Sequence, residues 1–267
     1  IVSLFFYFIL TDLKIIPRIG NLFIVLFYVT SPMNGARISL ICLPYGLTLV
    51  LFFIGFWSVI HYHKSGEIKL LLLALVTFFV SFFSLSTIIA YLAPLSYACY
   101  HEYVNYHERK GEKIRWTQYF PLLSLFLLPI IFFILKSIMW APSGNYQRYN
   151  LISINNIFNL PFNFNTYIKN NFFESFQYLK PDTFYQAIYI IFIGFLILWV
   201  ISHAFHEKNS PNKKQLLMFL LIGVFLFIIA AYPYLLAGKV ASYFDWDSRH
   251  QLFIPFGLGI IIISSIY

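Results

Sequence analysis

The sequence predicts an all-α protein: a polytopic transmembrane helix bundle with one amphipathic helix at the membrane interface. Three observations carry this. Sixty per cent of the 267 residues are hydrophobic and only 10% are charged, whereas soluble domains carry roughly 25% charged residues. The apolar residues fall in runs of about 20, the length a helix needs to cross a hydrocarbon core of roughly 30 Å. All five tryptophans, Trp57, Trp116, Trp140, Trp199 and Trp246, lie near the ends of such runs. Indole prefers the bilayer boundary, where its ring is apolar and its N–H stays wet. Short alternating strands are absent, so the pattern is not that of a barrel. Lipid offers no backbone partners, so each span must be a helix.

In chain order, Ile1–Leu10 is a partial span. Ile15–Thr30 is short and interrupted by Pro17 and Arg18, which suggests a tilted or re-entrant segment. Spans are expected at 39–60, 69–93, 118–140, 185–205, 216–236 and 250–267. The chain begins and ends inside apolar runs, so residues 1–267 are expected to form a single transmembrane domain, an internal portion of a longer chain. Cys42 and Cys99 lie in or beside spans, where isolated thiols are expected to be reduced and structural.

The connections predict the topology. Loop 97–117 carries Arg109, Lys110, Lys113 and Arg115, and loop 206–215 carries Lys208, Lys213 and Lys214. Lys and Arg near span ends favour the cytoplasmic side. Two expected spans separate these loops, so both are placed inside. Loops 141–184 and 237–249 are then outside, and alternation puts His61–Lys69 outside as well, despite Lys64 and Lys69. The extracytoplasmic loop 141–184 is too long for a simple connector. In it Ile168, Phe172, Phe176 and Leu179 share one helical face, with Lys169, Asn170, Glu174 and Gln177 elsewhere. Asn165 or Thr166 can cap the start and Pro181 stops the end, predicting an amphipathic helix over 165–179 in the outer interface. Such a helix either lids the bundle or guides an acyl or polyprenyl chain into it.

The densest polar cluster beside a span is Lys239, Asp245, Asp247, Arg249 and His250. Ionisable groups at the membrane edge are costly unless paired or used. Asp245 and Asp247, two apart, point the same way in an extended loop, where they could hold a divalent cation or supply a base. Arg249 can grip a phosphate in a bidentate manner, with Lys239 as a second cation. His250 can act as acid or base near neutral pH. The competing account is an interfacial salt-bridge knot that fixes the loop. Just upstream, Pro233 sits between Tyr232 and Tyr234. It frees a backbone carbonyl and can bend the span, and the two hydroxyls could then face one vestibule or simply join an aromatic belt.

Other residues are weaker candidates. His203 and His206 share a helical face but read as interfacial histidines. His61 and His63 read as a structural pair in a turn, and His101 and His107 as members of a hydrated loop. No residue set is assigned to a resident metal. The net charge of +8 reflects basic loops, and no basic run has the density of a nucleic-acid patch, so nucleic acid is not an expected partner. Walker, dinucleotide-binding, zinc-protease and nucleophile-elbow motifs are all missing, and no cofactor is implied. Few charges lie within spans. Arg18 and Lys136 are the nearest, and both can snorkel. That scarcity weighs against a proton-coupled transporter.

Tyr232-Pro233-Tyr234, Gly238-Lys239 and Asp245-Trp246-Asp247-Ser248-Arg249-His250, leading into Pro255 and Gly257, form a run of about 35 residues. It resembles the outer-loop-to-span segment of large bacterial polytopic proteins of the GT-C glycosyltransferase-like type. The resemblance implies many spans, a lipid-phosphate-linked sugar as substrate, and a site in the extracytoplasmic loops. The acidic residue that such enzymes place in their first outer loop is not located here, because the start of the longer chain is expected to precede Ile1. Two functions are therefore expected. In the first, an integral multi-pass protein handles a lipid-linked sugar or phosphate at the outer face. There Lys239, Arg249, Tyr232 and Tyr234 bind substrate, and Asp245, Asp247 and His250 carry the chemistry. In the second, the chain is a non-catalytic subunit of a larger membrane complex, or a transporter. The expected partners are membrane lipids, a lipid-linked phosphate and other membrane subunits.

Overall fold

The computed structural model describes residues 1–14, 16–31, 43–108, 119–139, 154–169, 213–238 and 252–267, together with scattered positions between 184 and 202. The protein is all-α. Its helices are α1 (Val2–Leu13), α2 (Arg18–Thr30), α3 (Leu43–Ser65), α4 (Ile68–Ser81), α5 (Leu85–Ala90) and α6 (Leu92–Glu108). They continue with α7 (Phe120–Met139), α8 (Ile154–Phe158), α9 (Leu160–Lys169), α10 (Lys213–Leu236) and α11 (Ile254–Ile266). Every described residue between 184 and 202 is also helical. Among the described residues three helices, α3, α7 and α10, are long and apolar enough to cross a membrane, which marks a membrane protein.

Prolines set many of the helix starts. Pro44, Pro94, Pro121, Pro161 and Pro255 each fall in the first turn of a helix, and Pro17 immediately precedes α2. First-turn N–H groups have no intrahelical partner, so proline costs nothing there and presets φ. The Pro17 expected to interrupt a segment therefore starts one. α2 is a regular helix whose Ile24 is fully buried.

The chain divides into two compact units, Ile1–Phe5 with Pro44–Leu151, and Phe6–Leu43 with Ile152–Tyr267. In the first unit, α3 lies tightly on α4. A Cβ on Gly55 would stand 2.8 Å from Thr77 Oγ1 and 3.0 Å from the Phe78 ring. Gly66, at φ +74°, ends α3, and its N–H bonds to the Tyr62 carbonyl at 2.8 Å. This left-handed position suits glycine alone without steric cost.

The single span expected over 69–93 is broken. α4 stops at Ser81, and α5 starts at Leu85. The reason lies in the run Ser81-Phe-Phe-Ser-Leu-Ser-Thr87. Thr87 Oγ1 donates to the carbonyls of Ser81 and Ser84, both at 2.7 Å, and Ser81 Oγ donates to Phe78 O at 2.8 Å. Ser81, Ser84 and Thr87 are all buried. These hydroxyl bonds add to the backbone bonds that the same carbonyls accept across the break, from the N–H groups of Phe82, Ser84 and Thr87, so the three carbonyls stay paired in an apolar setting.

α7 contains Pro129, which cannot donate to the carbonyl four residues earlier, that of Leu125. Tyr91 supplies the missing donor: its hydroxyl bonds to Leu125 O at 2.9 Å from a side chain only 2% exposed. Tyr91→Phe would leave a buried carbonyl unpaired at a cost of about 1–3 kcal/mol. A lower thermal midpoint in micelles is expected for Tyr91→Phe, while Tyr103→Phe, at a residue 62% exposed, leaves it unchanged. Equal midpoints for the two variants would count against the role assigned to this hydroxyl.

The second unit is organised around α11. Gly257 faces α10 and Gly259 faces α2, where a Cβ would stand 3.1 Å from Ile24 Cγ2. Phe256 stacks on Tyr28 at 4.3 Å and meets Phe6 edge-on at 4.5 Å. Phe227, Ala231, Leu235, Ile254 and Leu258 form the buried seam between α10 and α11.

Candidate functional site

Two places in the fold bring polar chemistry to a helix end. The first is in the second unit, where α10 stops and α11 begins. α10 continues as helix through Pro233 to Leu236. Residues two apart on a helix project about 200° apart, so Tyr232 and Tyr234 leave on different sides and do not share one wall. Tyr232 is 44% exposed, while Ala231 and Leu235 face the core. Gly238 follows at φ +68°.

α8 and α9 are fixed to this end of α10. Asn156 Nδ2 donates to the Leu236 carbonyl at 3.0 Å, across 80 residues of sequence. Its amide also lies where a Cβ on Gly238 would stand, 2.8 Å from Nδ2. From α9, Phe164 meets Phe227 edge-on at 5.8 Å, and Ile168 packs on the same seam. Residue 156 and residues 236–238 touch, so the described part of 141–184 that holds α8 lies beside the start of 237–249. Lys213 and Lys214 sit at the far end of α10, as the charge distribution predicts.

The amphipathic helix differs from its expected bounds. It starts at Leu160, with Pro161 in its first turn, so Asn165 and Thr166 lie in its interior rather than at a cap. Of its expected apolar face, Ile168 is packed on α10. Phe172, Phe176 and Leu179 lie outside the described residues, as do Lys239, Asp245, Asp247, Arg249 and His250. The pair His203 and His206 and the tryptophans 116, 140 and 246 also lie outside them.

The second place is in the first unit, at the C-terminal ends of α3 and α6. His63 comes from the last turn of α3, and His101 and Glu102 come from α6. The two imidazoles lie 4.3 Å apart between centroids, tilted by 38°. His63 Nδ1 stands 3.8 Å from Glu102 Oε1. One potential ligand atom from each of the three residues falls within 4.8 Å of the others. Tyr97 closes one side, its ring 5.9 Å from that of His63.

This cluster overturns an expected topology. His61–Lys69 and 97–117 were expected on opposite sides, yet His63 meets His101 and Glu102. The break at Ser81–Leu85 is the cause, because it lets α5 and α6 return alongside α3 instead of completing one crossing. Lys64, next to His63 in the last turn of α3, therefore lies at the same end of this unit as His101 and Glu102. The residues read as a structural turn pair and a hydrated loop are helical and face each other. The sequence held a signal in two histidine-containing stretches, each closing a helix at a polar boundary, but not their pairing.

The chain matches no family model, and no curated protein sequence or solved structure shows detectable similarity to it.

Proposed function

We propose that this is a multi-pass integral membrane protein that handles a phosphate-bearing lipid, such as a lipid-linked sugar, at the end of the second unit where α10 stops. The observation that supports it is the attachment of α8 and α9 to that end, through Asn156 on Leu236 and Phe164 on Phe227. An amphipathic segment thereby borders the point at which the chain enters Lys239–His250. Arg249 and Lys239 would hold the phosphate. Asp245 or Asp247 would bind a cation or serve as base, and His250 would move a proton. Tyr232, exposed at the same end, would contact the lipid or sugar. Lys213 and Lys214, at the opposite end of α10, favour the cytoplasm, which supports an outer-face position for this site.

The test uses the full chain in nanodiscs with a photoactivatable polyprenyl phosphate. Arg249→Ala is expected to reduce specific labelling at least tenfold without moving the thermal midpoint, and Arg249→Lys to retain part of it. Labelling equal to the parent's would sink the proposal. A collapsed midpoint with Arg249→Ala would make the segment a structural clasp instead.

A second reading, a non-catalytic subunit, draws on α7, only 17% of which is buried. Its apolar surface would then be covered by a neighbouring membrane protein rather than by lipid alone. Co-migration of the native chain with a stoichiometric membrane partner in mild detergent would favour that reading.

A further inference from the structure

We propose that His63, His101 and Glu102 form a binding site for one divalent transition-metal ion of the zinc class, clipping α3 to α6. Two imidazoles and a carboxylate are a ligand set such ions take, commonly with a water in the fourth position. The set is assembled from two helices 38 residues apart, so it is not an accident of adjacency along one turn.

Three features separate the cluster from an ordinary ion pair. First, the His63 side chain is only 4% exposed, and its Nε2 is buried with no hydrogen-bond partner. Buried polar atoms are nearly always satisfied, and leaving one orphaned is costly. Second, the 3.8 Å between His63 Nδ1 and Glu102 Oε1 is too long for a hydrogen bond. Ligand atoms around a zinc-sized ion lie about 3.3 Å apart when each is about 2.0–2.1 Å from the metal. One ligand atom from each of the three residues lies within 4.8 Å of the others, so a single ion can draw the set together through one nitrogen of His63. Third, His101 is already oriented by its neighbour. Its Nδ1 lies 3.0 Å from the Asn105 side-chain amide, one turn along α6. The atom facing Nδ1 is Asn105 Nδ2; a half-turn of that amide brings Oδ1 to the same place, so that Nδ1–H donates to it and Nε2 keeps the metal-binding lone pair. Ligating histidines characteristically have such an outer partner.

The other histidines nearby are differently engaged. His61 lies against the Trp57 ring at 4.3 Å, and His107 Nδ1 is 3.1 Å from the Tyr103 carbonyl. They serve as controls.

The experiment is a titration of the purified full chain, stripped with a chelator, with Co²⁺ followed by visible absorption, and then competition by Zn²⁺. One Co²⁺ per chain is expected, with ligand-field bands of low coordination number that Zn²⁺ abolishes. His63→Ala, His101→Ala and Glu102→Gln should each weaken binding by at least about tenfold. His61→Ala and His107→Ala should bind as the parent does. If removal of buried His63 prevents folding, Asn105→Ala keeps all three ligands and should still weaken binding by roughly 10–100-fold, the effect of losing an outer-shell partner. Two results would overturn the proposal. One is the absence of saturable binding to the parent chain. The other is a loss in the ligand and Asn105 variants no larger than in the controls.

Discussion

Gly257→Ala is expected to lower the thermal midpoint of the protein more than any other single methyl addition. Its Cβ would stand 2.6 Å from the backbone nitrogen of Phe227 and 2.8 Å from the carbonyl oxygen of Gly223. Neither obstacle is the end of a flexible side chain, so relief requires α10 and α11 to separate. From the other side, a Cβ on Gly223 would stand 3.0 Å from the backbone nitrogen of Ile261. The two glycines therefore define a crossing at which helix backbones touch, the arrangement small residues permit between helices in membranes. Two effects oppose each other. Alanine gains about 1 kcal/mol over glycine in helix propensity. Overpacking against an immovable neighbour costs about 3 kcal/mol or more, so destabilisation wins. Gly46 provides the contrast, since it lies in α3 with nothing within 4 Å of its Cβ position. Gly46→Ala should hold or raise the midpoint. If both variants shift the midpoint upward in a fluorescence melt of the micellar protein, the close crossing of α10 and α11 is not what holds that unit together.

The parts of the fold legible in the sequence are those dictated by local chemistry. The runs that became α3, α7, α10 and α11 were readable because apolar length acts within one segment. What escaped depended on partners distant in sequence. The break after Ser81 is invisible to hydropathy, because Phe82, Phe83, Leu85 and the following isoleucines keep the run apolar. Its cause is hydroxyl bonding from Thr87, which a window average discards.

That one break then decided the rest of the first unit. By turning α5 and α6 back along α3, it set His63 opposite His101 and Glu102, a constellation that no spacing rule in the sequence could join. At the other site the outcome was different. The resemblance and the charge density single out Lys239–His250, and the fold shows what anchors the start of that segment, at Gly238 and Asn156.

Phe132→Ala is expected to destabilise the first unit by about 3–5 kcal/mol, the range for truncating a buried aromatic. Phe132 is 1% exposed. Its ring meets Phe79, Phe82 and Phe83 edge-on, each at 5.6 Å, and the Lys136 ammonium lies 5.9 Å from its centroid. Few other residues hold α7, whose buried positions are Pro121, Leu125, Leu128 and Phe132. In lipid the transfer of a side chain from water contributes little, because a lipid-facing phenylalanine is already in hydrocarbon. The cost must come from lost ring contacts and from the void left among three aromatics, which places the value near the lower end of the range. Phe133 is the matched control: it adjoins Phe132 and is 50% exposed, so lipid can fill the space its ring leaves. Phe133→Ala should shift the midpoint by a fraction of the Phe132→Ala effect, and Phe132→Leu should fall between them. Similar shifts for Phe132→Ala and Phe133→Ala would mean that α7 is held by lipid packing, with the aromatic cluster contributing no specific cohesion.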